Sequence, residues 1–249
     1  MSTPRAPLND PRTVARDIPG VLDALFPHLI PGVVAHFNRR RRAATDCAPI
    51  APEVIAASPL QHAMLFELAV AAAEQILTTG RPDWNTCLTL AIERQRRHFD
   101  AKVPAALSES DKSAAFAVAQ NLVTMLNQLQ TEAGGVPLIH SPDIPGYQWI
   151  ASGVGDFSLG AWLIEVKCTN KPFSSSDYRQ IVMYWLLAFA ASIESGTKEW
   201  RQGILLNPRL NYVVQLPFDE IIDVFGAGRS KIELLEIFSS MVGDRGATL

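Results

Sequence analysis

The stretch "GDFSLGAWLIEVKCTN" at residues 155–170 holds two apolar, β-prone runs, 157–159 and 162–166, joined at Gly160-Ala161. Glycine tolerates the positive φ that a two-residue hairpin loop demands, so the runs are expected to fold back on each other with Leu159 facing Trp162. Counting outward from that pair sets Asp156 opposite Glu165. Side chains alternate along a strand, so Leu163, Glu165 and Lys167 project to one side of the sheet and Trp162, Ile164 and Val166 to the other. Two opposed carboxylates repel unless something positive lies between them. A divalent cation meets that need: hard carboxylate oxygens, a backbone carbonyl such as that of Val166, and water suit Mg2+ or Mn2+. Lys167, on the same face, would then favour ionisation of a water or stabilise charge on a phosphate. The same three charges also fit a salt-bridged strand pair in which the lysine neutralises both acids.

Around this hairpin, helix and strand signals alternate. "SESDKSAAFAVAQNLVTMLNQLQTEAGG" reads as a long amphipathic helix that Gly134 and Gly135 terminate. "VPLIH", "YQWIASGVGDFSL" and "AWLIEVKC" follow as three strand-like runs. Then "SSSDYRQIVMYWLLAFAASIESG" makes a helix capped by one of Ser174 to Ser176 and stopped at Gly196. "QGILLNPRLNYVVQLP" supplies two strands around an Asn-Pro-Arg turn, and a helical tail begins near Pro217. The expected fold class for residues 106–249 is therefore α/β, a mixed β-sheet flanked by helices. Residues 21–105 carry helical patterns and almost no strand signal, which predicts an N-terminal all-helical domain. Within it, "SPLQHAMLFELAVAAAEQILTTG" is expected to start at a capping Ser58, with Pro59 in its first turn, and to end near Gly80. Another helix is expected in "DWNTCLTLAIERQRRHFD". Residues 1–20, rich in Pro, Arg and Asp and without periodicity, read as a flexible arm.

At 249 residues, 48% hydrophobic and 19% charged, the chain has enough apolar surface for a sizeable core. Its longest apolar run, Ile181 to Ile193, is too short to span a bilayer, and the first twenty residues lack the apolar segment of a signal peptide. A cytoplasmic protein without a membrane partner is expected. Cys47, Cys87 and Cys168 are too widely spaced to suggest a disulfide framework or a thiolate metal site. A net charge of -3 rules out binding nucleic acid by bulk attraction alone, so such binding needs local basic patches. The candidates are Arg39, Arg40, Arg41 and Arg42, and a second group of Arg94, Arg96 and Arg97 beside His98. Lys171 extends the basic side of the hairpin. The chain has no Gly-rich phosphate loop, so any motor would be a separate ATPase or helicase partner.

Three short motifs in this order resemble the RecB-like branch of the PD-(D/E)XK nuclease superfamily: "GVGD" at 153–156 is like GxxD, "EVK" at 165–167 is ExK, and "QIVMY" at 180–184 is like QxxxY. The resemblance covers roughly residues 112–216. It implies an α-β-β-β-α-β nuclease core, Mg2+- or Mn2+-dependent hydrolysis of phosphodiesters, DNA as the substrate, and a setting in bacterial genome defence or repair. It further implies that Asp156 and Glu165 hold the metal, that Lys167 assists hydrolysis, and that Gln180 positions substrate or nucleophile. Tyr184, one turn along the same helix face, has a supporting role. The family's glutamate on the first core helix has no match on the body of the helix here, which offers Gln120, Asn121, Asn127 and Gln128, with Glu132 near its end. That ligand is either missing or comes from Glu67 or Glu74. Pro142-Asp143 supplies a competing aspartate in the loop-like "SPDIPG", and His140 is a further candidate for a base or a phosphate contact. An incomplete ligand set would make the chain a non-catalytic nucleic-acid-binding or interaction subunit of a larger defence or repair complex.

Overall fold

The computed structural model of the protein describes residues 9–17, 20–95 and 103–246. Helices α1 (Pro11–Asp17), α2 (Val21–Leu25), α3 (Pro31–Arg39), α4 (Pro52–Ala56), α5 (His62–Thr79), α6 (Trp84–Gln95) and α7 (Glu109–Glu132) come first. Strands β1 (Leu138–His140), β2 (Asp143–Ile144), β3 (Gly153–Val154), β4 (Phe157–Leu159) and β5 (Trp162–Val166) follow. Helix α8 (Ser175–Ser195) then leads to β6 (Gln202–Asn207), β7 (Tyr212–Pro217), α9 (Phe218–Phe225) and α10 (Lys231–Gly246).

Five strands form one mixed sheet in the order β1-β4-β5-β6-β7. Its neighbours are antiparallel except β5 and β6, which run parallel. A parallel pair cannot be closed by a tight turn, and α8 is the crossover that returns the chain to the start of β6. The run "YQWIASG" is not the strand its composition suggests. Pro145 has no N–H to give a ladder, and the segment closes instead on a Tyr147–Ile150 bridge between β2 and β3, which pair as a separate two-stranded ribbon.

Successive residues of the central strands alternate between two apolar cores. Phe157, Ile164, Val166, Ile204 and Leu206 face one core with α5 and α7, while Leu163, Leu205, Val214 and Leu216 face another with α8. With both sides apolar, both must be covered. The helices of residues 21–95 divide between the two faces of the sheet. Val21, Leu22, Leu25, Val34 and Phe37 of α2 and α3 join α8, α9 and α10, whereas Met64, Leu65 and Leu68 of α5 join α7. Part of the N-terminal stretch is described. Residues 11–17 form α1, with Val14 and Ala15 only 0% and 1% exposed against the α8 core; residues 1–8, 18 and 19 lie outside the described residues. Helix α5 begins at His62, later than expected, because the Ser58 hydroxyl donates to Asp111 at 2.5 Å and ties that loop to the start of α7. Ser174 caps α8 and Gly196 ends it. Among the described residues, no helix is long and apolar enough to cross a membrane.

Candidate active site

The hairpin pairs Leu159 with Trp162, Ser158 with Leu163 and Phe157 with Ile164, and Gly160 takes the turn at φ +57°. One residue past this ladder, Asp156 reaches across the hairpin, its Oδ2 accepting the Val166 N–H at 2.7 Å. Phe157 and Ile164 lie in the α5 and α7 core, so the adjoining pair, Asp156 and Glu165, belongs to the α8 side.

There the chain builds a closed polar network. Glu165 Oε1 accepts from Lys167 Nζ and from Gln180 Nε2, each at 2.6 Å. Gln180 Oε1 accepts from the same lysine at 3.0 Å, and Gln180 Nε2 also donates to the Tyr184 hydroxyl at 3.0 Å. Glu165, Lys167 and Gln180 are all buried. Gln180 and Tyr184 reach the network together because residues four apart share a helix face. One atom is left over: Glu165 Oε2 is buried with no hydrogen-bond partner. A stranded carboxylate oxygen is costly, on the order of 1–3 kcal/mol or more. Asp156 is half-buried, and its Oδ1 accepts no hydrogen bond from a described residue.

Burial pushes the Asp156 carboxyl up to about 7, and the neighbouring Glu165 charge pushes the same way; Lys167 and the Val166 N–H oppose them. The Tyr184 hydroxyl is also raised, chiefly by burial and then by the two carboxylates, so it stays protonated. Two acids share the single buried ammonium of Lys167, and one oxygen of each carboxylate is left without a hydrogen bond from a described residue. That donor set fits a single Mg2+ or Mn2+ held by two carboxylates and completed by water. It does not make a closed protein cage, since no group of three His, Cys, Asp or Glu is gathered for a metal among the described residues.

The other sequence candidates lie elsewhere. His140 pairs with Phe157 and meets its ring edge-on at 5.3 Å, which puts it on the opposite face of the sheet. Asp143 is exposed in the β2–β3 ribbon opposite Val154. Glu74 and Glu67 of α5 pair with Arg94, and Glu132 pairs with Arg42, so none of the three joins Asp156 and Glu165. Among the proposed basic contacts, Arg40 pairs with Glu220 and Arg41 lies over the Tyr212 ring at 4.7 Å. Arg42 also hydrogen-bonds Val213 along the free edge of β7, leaving Arg39 exposed at the end of α3. Lys171 is exposed on the loop after β5, and Arg96 and Arg97 lie outside the described residues. Val166 meets Asp156 through its N–H. Sequence reading passes over Arg12, whose charge acts on both Asp156 and Tyr184, because an isolated arginine in a Pro-rich stretch carries no pattern. No protein-family model, no curated protein and no solved structure matches this chain.

Proposed function

We propose that the protein is a metal-dependent nuclease of the PD-(D/E)XK type that hydrolyses phosphodiester bonds in DNA, with Mg2+ or Mn2+ as cofactor. The observation that carries this reading is the buried, partnerless Glu165 Oε2 beside Asp156. A buried carboxylate oxygen without a partner is uncommon in a salt bridge built only for stability and is what a metal ligand offers. Asp156 and Glu165 hold the cation; when bound, it polarises the phosphate and lowers the pKa of a water nucleophile.

The remaining residues do defined work around that pair. Val166 N–H fixes the orientation of the Asp156 carboxylate from behind. Lys167 Nζ is held on the site face and stabilises charge that develops on a phosphate oxygen. Gln180 bonds both Lys167 and Glu165 and so sets their mutual position, and the Tyr184 hydroxyl holds the amide of Gln180 in the orientation that this requires. Together they preorganise the site on a strand and a helix, which place side chains more accurately than loops do.

The two-acid ligand set favours a second reading, a non-catalytic nucleic-acid-binding subunit of a defence or repair complex. Incubating the purified protein with plasmid, linear duplex and single-stranded DNA and with RNA, in Mg2+, Mn2+ or EDTA, separates the two. Metal-dependent cleavage supports the nuclease. Binding without cleavage under every condition supports the subunit, and neither binding nor cleavage defeats both.

A further inference from the structure

The N-terminal helix brings to this site a cation, Arg12, that forms no ion pair with a described residue. Val14 and Ala15 seat α1 in the core it shares with α8. Just before it, the Asn9 carbonyl accepts the Ala151 N–H at 2.9 Å. A Cβ placed on Gly153 would stand 3.2 Å from Pro11 Cγ, so the start of α1 is pressed against the strand that runs three residues later into Asp156. Arg12 follows directly. It is exposed, and its charge is felt at both Asp156 and Tyr184. Arg16 lies four residues on, on the same face of the helix and about 6 Å further along its axis.

Neither arginine forms an ion pair with a described residue. Other basic side chains do have an acidic partner: Arg40 with Glu220, Arg42 with Glu132, Arg94 with Glu74, Arg179 with Asp23 and Lys231 with Glu199. An exposed arginine near an acidic centre but not tied into an ion pair is free to take an anion from outside, and the planar guanidinium fits phosphate oxygens in pairs. Two of them in a row along one helix suit a strand carrying successive phosphates better than a lone phosphate.

We propose that Arg12, with Arg16 one turn further on, binds the phosphates of the substrate strand next to the bond that is cut, so that α1 is part of the substrate-binding surface. This rests on the nuclease reading, and the experiment keeps the two apart. In an Asp156→Asn background, which suppresses cleavage, affinity for single-stranded and duplex oligonucleotides is measured across a salt series with and without Arg12→Ala, Arg16→Ala or Arg12→Lys. Arg12→Ala is expected to weaken binding about tenfold and to flatten the slope of log affinity against log salt by about 0.7–0.9, the signature of one lost phosphate contact. Arg16→Ala follows in the same direction with a smaller loss, and Arg12→Lys recovers part of the affinity because it keeps the charge. With Asp156 intact, Arg12→Ala raises KM more than it lowers kcat, and the melting temperature stays within about 1 °C because the side chain is exposed. If the wild type cleaves DNA but Arg12→Ala leaves affinity, salt slope and KM unchanged, this proposal alone is overturned. A lower melting temperature that Arg12→Lys fails to restore would assign Arg12 a structural role and overturn it too. A wild type that neither binds nor cleaves any nucleic acid overturns both readings.

Discussion

Asp156 and Glu165 sit together on the hairpin, yet neutralising one or the other has opposite consequences. Glu165 is the counter-charge of the Lys167 ammonium, and their side chains are only 4% and 10% exposed. Glu165→Gln therefore strands a buried cation, and breaking such a pair costs about 3–5 kcal/mol, or roughly 10 °C in melting temperature for a chain of this size. Thermal melting by circular dichroism checks this. Asp156 behaves differently because its own charge is the costly one. Its folded pKa of about 7 lies above the usual carboxylate value of about 3.9, so the folded state holds the proton more tightly than the unfolded chain does. Stability from this group is present below about pH 4 and is lost as pH rises through about 7. In EDTA, the wild type is expected to lose about 5 °C more than Asp156→Asn between pH 4.5 and 8. Parallel melting curves for the two proteins would contradict the assignment. Gln180→Ala removes a bond from both Lys167 and Glu165, and is expected to lower cleavage by about ten- to a hundredfold as the lysine loses its position. A single-turnover rate measurement reads that loss.

Among the elements, α1 and α8 decide whether the site is complete. Because α1 docks through Val14 and Ala15, Val14→Asp puts an unpaired charge into that contact and undocks the helix. Limited proteolysis should then cut near residues 11–17, and oligonucleotide affinity should fall by at least as much as in Arg12→Ala. The hairpin and α8 were legible in the sequence for definite reasons. A two-residue turn at Gly160 fixes the register, alternation carries that register to Asp156 and Glu165, and a Ser174 cap with a Gly196 stop bounds the helix. The placement of the N-terminal helices was not legible, because a helical period shows that an apolar face exists but not what it covers. The hint lay in the strands: Leu163-Ile164 and Ile204-Leu205-Leu206 are apolar on consecutive residues, the pattern of a sheet covered on both sides. Helix α1 was too short to show a period at all. The counter-ions of Arg40 and Arg42 were not legible either, because Glu220 and Glu132 lie 180 and 90 residues away in the chain.

For the molecule as a whole, the sheet lies between two apolar cores, and the polar network occupies one side of it. With a net charge of -3, the chain has no overall pull on a polyanion, so the proposed binding of nucleic acid would rest on a few local contacts. The salt dependence of binding should accordingly be shallow, about -2 to -3 in log affinity against log salt, as two or three phosphate contacts would give. The central claim is that Asp156 and Glu165 hold a metal ion for phosphodiester hydrolysis, and a cleavage assay of the wild type beside Asp156→Asn, in Mg2+, Mn2+ and EDTA, tests it most directly. The wild type should cut DNA only with metal, while Asp156→Asn fails to cut although it melts at the same temperature or higher. A wild type that leaves every DNA and RNA form intact in both metals, or an Asp156→Asn variant that cuts as fast, would contradict the claim.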